Sequence, residues 1–283
     1  MPIKAGLSQR KRNDSESIAC ILNPNAQGGR AGRGADRLRR ALDQAFGEWE
    51  LLLTEGPGHA SELTRDALNS GAKIVAAVGG DGTCHEVVNG FFSDGKPVRS
   101  DSVFSLVPWG TGSDLARSVK APKNIEDALW VAACGMTVPS DVGVAHFKDH
   151  EGKDASRLFI NSAGFGCNGE VASRANASSK RLGGTVTFLG ATFATLASFK
   201  APKLSMEWES SEGKGAWEGP FMSAFLMNGS YCGGGMNLAP RGSMHDGQLD
   251  LTVLPEMGFV GAVAKSWRLF DGSAEKVSGV RVG

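Results

Sequence analysis

An apolar run over 73–77 leads into Val78-Gly79-Gly80-Asp81-Gly82-Thr83 and then into Cys84-His85-Glu86-Val87-Val88-Asn89-Gly90. A buried strand that ends in a glycine turn and passes at once into a helix is the geometry of a phosphate site. Glycines let the backbone fold tightly and approach an anion. The first N–H groups of the helix point outward with the positive end of its dipole. Asp81 needs a separate reason, because a carboxylate beside phosphates is repelled unless a metal ion, a substrate hydroxyl or neighbouring N–H groups offset it. It is a candidate for handling magnesium or the phosphoryl acceptor. A Gly-Asp-Gly turn that only connects strand to helix satisfies the same pattern.

Two further strand-to-loop junctions have the same form. The apolar run 18–22 ends in Asn23-Pro24-Asn25 and a glycine-rich stretch to Arg33, and the run 103–107 ends in Pro108-Trp109-Gly110-Thr111-Gly112-Ser113-Asp114. In an open parallel sheet the carboxyl ends of the strands share one edge, where ligands bind, so the three loops are expected to converge. Ser113 reads as an N-cap, and Asp114 as dipole compensation in the turn that follows. Thr111, between two glycines, is the better ligand candidate.

The pattern before Pro139 alternates strand-like runs (18–22, 50–54, 73–78, 103–107) with helical ones (33–46, 60–69, 84–92, 125–134). Such alternation predicts an α/β fold, a Rossmann-like parallel sheet with crossover helices. After Pro139 come short β-like runs at 157–161, 203–209, 221–228 and 248–254, separated by glycine and polar clusters, and these predict a second, mainly antiparallel domain. The division expected is a flexible tail over 1–17, a nucleotide domain over 18–138 and a β-rich domain over 139–283. The charge-free stretch 183–199 is shorter than the roughly 20 apolar residues that span a bilayer, and its apolar groups recur at helical spacing on more than one face. It reads as a buried helix of the domain core or as one wall of an acyl-chain pocket.

Thirty basic residues balance thirty acidic ones, so no global charge draws the chain to nucleic acid. Lys4, Arg10, Lys11 and Arg12 make a basic leader that reads as disordered, with a weak membrane-surface contact as the alternative. Five cysteines without paired spacing argue for reduced thiols and against a zinc site. Residues 1–17 have no apolar core, so no signal peptide is expected there, and the localisation expected is cytoplasmic, at most peripheral at the inner membrane surface.

Asn23-Pro24 with its glycine-rich tail, Gly79-Gly80-Asp81-Gly82-Thr83 and Gly110-Thr111-Gly112-Ser113-Asp114 resemble the three nucleotide-site motifs of the diacylglycerol and sphingosine lipid kinases. Asp141-Val142-Gly143, the run 159–166, Asn228-Gly229, Gly233-Gly234-Gly235, Ala239-Pro240 and the run 246–251 follow in that family's order. The resemblance implies a β-sandwich as the second domain, ATP and Mg²⁺ as cofactors, and a lipid hydroxyl as acceptor, diacylglycerol- or ceramide-like. It implies a lipid substrate met at the membrane surface and leaves room for a homodimer. It places Asn23, Thr54, Gly79, Gly80, Asp81, Gly82, Thr83, Glu86, Gly110 and Thr111 at nucleotide-contact positions, with Asp81 as the catalytic candidate. Short polar side chains and bare glycines suit that task. It also implies a magnesium site in the region of Ser243, Asp246 and Gln248, and Lys180 and Arg181 are weaker candidates for a phosphate or lipid head group.

The departures carry expectations too. Bacterial members carry a downstream Asp-Gly-Glu motif taken as the general base, with closing strands around it. This chain has only Asp271-Gly272-Ser273, so slow lipid phosphorylation is expected from the chain as given. Ala172 stands where the sphingosine branch carries an acidic residue, which favours a neutral lipid. The alternatives are a NAD kinase, which shares the GGDGT run, and a nucleotide- or lipid-binding module impaired in catalysis.

Overall fold

The chain opens with β1 (Ile18–Leu22), α1 (Ala26–Arg33), α2 (Ala35–Ala45), β2 (Trp49–Leu53), α3 (His59–Asn69), β3 (Ile74–Gly79) and α4 (Asp81–Gly90). A short hairpin, β4 (Phe92–Ser93) with β5 (Lys96–Pro97), precedes β6 (Val103–Pro108), α5 (Asp114–Ser118) and α6 (Ile125–Cys134). The computed structural model describes residues 17–109, 113–177, 195, 198–210, 213–257, 261, 264–274 and 281–282. Within them the chain divides into two compact units, 1–116 with 120–138 and 139–283 with 117–119.

The first unit is built on a four-stranded parallel sheet ordered β2-β1-β3-β6. Every residue of β1 and β3 is buried, as central strands covered on both faces by helices require. Leu38, Leu42 and Phe46, with Leu129 of α6, pack on Cys20, Leu22, Val78 and Val107 from the sheet. Burial pushes the Cys20 thiol up to about 12, so it stays protonated and serves as a small apolar filler. None of the five cysteines is joined in a disulfide.

Among the helices of the first unit two differences from the sequence reading stand out. The helix expected over 33–46 is α2, over 35–45, and a further helix, α1, takes up most of the glycine-rich stretch read as loop. Gly34 stands between them, and the Trp109 ring lies against it, 2.4 Å from where a Cβ would stand, so a side chain there would collide with the ring. Within α1 Gly28 and Gly29 have φ +65° and +84°, the left-handed region that favours glycine, and Ala31 is buried in the core. The second difference is the start of α4 at Asp81 rather than Cys84, which makes Asp81, Gly82 and Thr83 its first turn.

The second unit contains the hairpin β7 (Gly143–Lys148) and β8 (Asp154–Phe159), then β9 (Ser162–Gly166), α7 (Cys167–Ala177), β10 (Lys203–Ser210) and β11 (Gly213–Met227). The short pair β12 (Tyr231–Cys232) and β13 (Met236–Asn237), β14 (Asp250–Pro255) and β15 (Arg281–Val282) follow. β10 pairs with 213–220 of β11, β9 with 223–227, and β14 with 221–227, all antiparallel. A bulge between Phe221 and Ser223 marks the change of partner. β15 pairs with β14 and closes that edge where the sequence reading foresaw no further strand. β7 and β9 were also not foreseen, since their exposed, glycine-bearing runs lack the apolar density by which a strand is recognised. The helix expected over 183–199 lies almost wholly outside the described residues. Among those described, no helix is long and apolar enough to cross a membrane.

Candidate active site

The carboxyl ends of the sheet carry the expected loops in register. Leu22 pairs with Leu53 and Val78, and Gly79 with Pro108. The backbone ladder runs one step further, with Thr54 N–H donating to Leu22 O (2.9 Å), Asn23 N–H to Val78 O (3.2 Å) and Trp109 N–H to Gly79 O (2.8 Å). Thr54, Asn23, Gly79 and Pro108 therefore stand in one row across the sheet edge. Asn23 turns the chain with its own side chain, Oδ1 accepting from Asn25 N–H at 3.0 Å, and Thr54 is buried.

Gly80 is the N-cap of α4 with φ −100° and ψ −170°, an extended conformation any residue adopts, so its glycine is not there for a left-handed turn. Gly79 is required by packing, because a Cβ would stand 2.5 Å from Thr83 Oγ1, whose side chain is buried back against the strand end. Gly82 faces open space. The first N–H groups of a helix have no acceptor within it, so Asp81, Gly82 and Thr83 present donors at a surface with no side chain at Gly82 to obstruct an anion.

Asp81 supplies what the sequence left open. Its Oδ2 accepts from Asp114 N–H (3.0 Å) and its Oδ1 from Leu115 N–H (2.9 Å), so one carboxylate caps the N-terminus of α5 from the first turn of α4. Two helix dipoles thus converge on one negative charge. Ser113, expected as the cap, has φ +50°, the left-handed region, rather than the extended backbone of an N-cap. Asp114 is itself buried, at 5% exposure, and joins this cluster. Glu86 is likewise tied to structure: Oε2 accepts from Ala60 N–H (3.2 Å) and its carbonyl from Ser61 Oγ (2.7 Å), capping α3, whose N-cap Gly58 has no side chain to do so. Gly110 and Thr111 lie outside the described residues, as do Lys180 and Arg181.

In the second unit, the turn at Asp246 is held by Asp141, whose Oδ2 accepts from Gly247 N–H (2.8 Å) and whose N–H donates to Met244 O. Asn228 Nδ2 donates to the carbonyls of Asp141 and Ile160, and Asn161 O accepts from the N–H groups of Asn228 and Gly229. Asp246 Oδ1 accepts from Gln248 N–H (3.0 Å), and Ser243 Oγ accepts from His245 N–H (3.3 Å). Sequence reasoning missed Asp250, the first residue of β14. Its carboxyl is pushed above the ordinary range by burial and then by the charge of Asp246, which places the two acids within electrostatic reach. Among the described residues no three His, Cys, Asp or Glu side chains form a ready-made metal cage. Two carboxylates within electrostatic reach nevertheless match what magnesium takes from protein, one or two acids with waters for the rest.

Residues 17–145 match the Diacylglycerol kinase catalytic domain, and residues 161–282 match the YegS C-terminal NAD kinase beta sandwich-like domain. A Cronobacter sakazakii protein named "Probable lipid kinase YegS-like" is 30% identical over 82% of this chain and 72% of its own length. This chain belongs to the YegS-like lipid kinase family. A Pseudomonas aeruginosa protein of the same name is 28% identical over 86% of the chain and 73% of its own length. The solved structure of a Bacillus anthracis diacylglycerol kinase superposes with a TM-score of 0.67 at 23% identity, over 96% of this chain and 85% of that one. It shares the fold: a parallel-sheet α/β domain followed by an antiparallel β-sandwich-like domain. An NAD kinase likeness thus enters twice, through the GGDGT run of the first domain and through the description of the family model that matches the second.

Proposed function

We propose that this lipid kinase transfers the γ-phosphoryl group of ATP to the hydroxyl of a neutral lipid, diacylglycerol- or ceramide-like, with magnesium. The observation that carries the reading is the sheet-edge row Thr54, Asn23, Gly79 and Pro108, with the open first turn of α4 beside it. Phosphoryl transfer passes through a loose transition state, so the protein's task is positioning and electrostatic stabilisation. The N–H groups of Asp81, Gly82 and Thr83 would receive phosphate oxygens, and Asn23 and Thr54 would offer short polar contacts to the nucleotide. Asp81 would act through position, holding the starts of α4 and α5 together, since both its oxygens accept backbone N–H groups. Asp246 and Asp250 would hold a magnesium ion that supplies fixed positive charge to the Asp246 turn.

The test is an assay with radiolabelled ATP and magnesium against diacylglycerol, ceramide, sphingosine and NAD. Label in diacylglycerol or ceramide, and none in NAD, is the expected result. Label in NAD alone contradicts the reading, and ATP binding without label in any acceptor leaves a binding module.

A further inference from the structure

Two tryptophans are well exposed among the described residues, Trp208 and Trp267. Trp208 belongs to β10, with Glu207 and Glu209 beside it and Glu209 paired with Lys214, so its surroundings are acidic or neutralised. Trp267 differs. It lies in a 3-10 turn, Ser266–Leu269, whose C-cap Phe270 donates its N–H to Trp267 O (3.0 Å), and this three-residue repeat, in which side chains eclipse, brings Trp267 and Phe270 to one side. They are 57% and 51% exposed. Leu269 packs instead on the buried cluster of Met222, Phe225, Met227, Leu238 and Leu254, which anchors the turn and holds the two rings outward. The Arg268 guanidinium stands 5.2 Å from the Trp267 ring centroid, and Lys265 precedes the turn. The acid on the same segment, Asp271, accepts from Ser273 N–H and is drawn into its own local turn.

From this juxtaposition we propose that Trp267 and Phe270, flanked by Lys265 and Arg268, form the face by which the protein docks on an anionic bilayer. Indole and phenyl rings insert at the boundary between head groups and acyl chains, where Trp in particular is enriched. Each nearby Lys or Arg adds attraction to anionic head groups, which salt screens. The turn has both components on a rigid base, whereas the Trp208 hairpin offers an aromatic with acids that an anionic surface repels. The inference rests on the lipid-kinase reading, since such an enzyme must meet a substrate that resides in the bilayer.

The test is co-sedimentation of the full chain with vesicles of phosphatidylcholine, with and without phosphatidylglycerol, for the parent, the double variant Trp267→Ser/Phe270→Ser and the control Trp208→Ser. Phosphorylation of a short-chain diacylglycerol present as monomer is measured alongside. The double variant is expected to bind phosphatidylglycerol vesicles about tenfold more weakly and to keep its activity on monomeric lipid, with Trp208→Ser like the parent. High salt should weaken the parent's binding. Vesicle affinity within about twofold of the parent overturns the proposal, as does loss of a dimer on sedimentation with vesicle binding unchanged. If the parent phosphorylates no lipid, the proposed function fails, while weaker vesicle binding by the double variant still supports the docking face.

Discussion

A carboxylate at the head of a phosphate-type turn repels the anion it sits beside unless something offsets it, and at Asp81 two backbone N–H groups do so. Asp81→Asn keeps the size but leaves one oxygen to serve two donors, so denaturant unfolding should show a loss of about 1–2 kcal/mol. If the residue acts by position, KM for ATP rises and kcat falls together. A fall in kcat alone, with stability and KM unchanged, would make it a base. The two glycines on either side of Gly80 and Asp81 should separate packing from access. Gly79→Ala forces a Cβ onto Thr83 and should cost about 1–3 kcal/mol. Gly82→Ala meets open space within a helix and should gain up to about 1 kcal/mol, yet weaken ATP binding through the methyl at the donor surface. ATP affinity equal to the parent's in folded Gly82→Ala would remove the anion site from that turn. At Asp250 the folded carboxyl titrates above its unfolded value, so the folded state binds the extra proton. Stability is highest below the unfolded carboxylate range and falls as pH rises through it to the raised value. In magnesium-free buffer at neutral pH, Asp250→Asn should therefore melt higher than the parent, a gain that vanishes in acid. Added magnesium should raise the parent's melting temperature and not that of Asp246→Asn or Asp250→Asn. Equal magnesium shifts in all three would reduce Asp246 to a turn residue.

At the scale of elements, helix ends borrow caps from one another. α6 is capped locally by Asn124, whose Oδ1 accepts from Asp127 N–H, but α3 depends on Glu86 of α4, and α5 on Asp81. Glu86→Ala should accordingly cost about 1 kcal/mol of stability with ATP affinity unchanged. A drop in ATP affinity without loss of stability would make Glu86 the nucleotide contact the family resemblance implies. Long-range caps of this kind are invisible in sequence, because nothing local to Glu86 or Asp81 names the helix it serves. The same limit explains several motifs of the second unit, which sequence order alone identifies but does not explain. Gly143 gives room to the Phe159 ring, Gly229 to Asn161 Oδ1, and Asp141 fastens the Asp246 turn.

Across the whole molecule, what was legible in the sequence was what repeats locally. The buried strands β1 and β3 are unbroken apolar runs, and α6 spans the expected residues because its cap and periodicity agree. The packing that Gly34 gives way to could not be read, because the Trp109 ring it meets stands 75 residues further along the chain (109 − 34 = 75). Asp250 was missed for a related reason: its perturbation comes from burial and from the charge of Asp246, which only the folded chain brings to bear. The central claim, that the loops at the sheet edge form one nucleotide site, is tested most directly by hydrogen exchange with and without a non-hydrolysable ATP analogue and magnesium. The amides of Asp114 and Leu115, already bonded to Asp81, should be slow in both states, while those of Gly82 and Thr83 should slow only when the analogue is present. Unchanged exchange at Gly82 and Thr83 on saturation, with protection appearing elsewhere, would contradict the account.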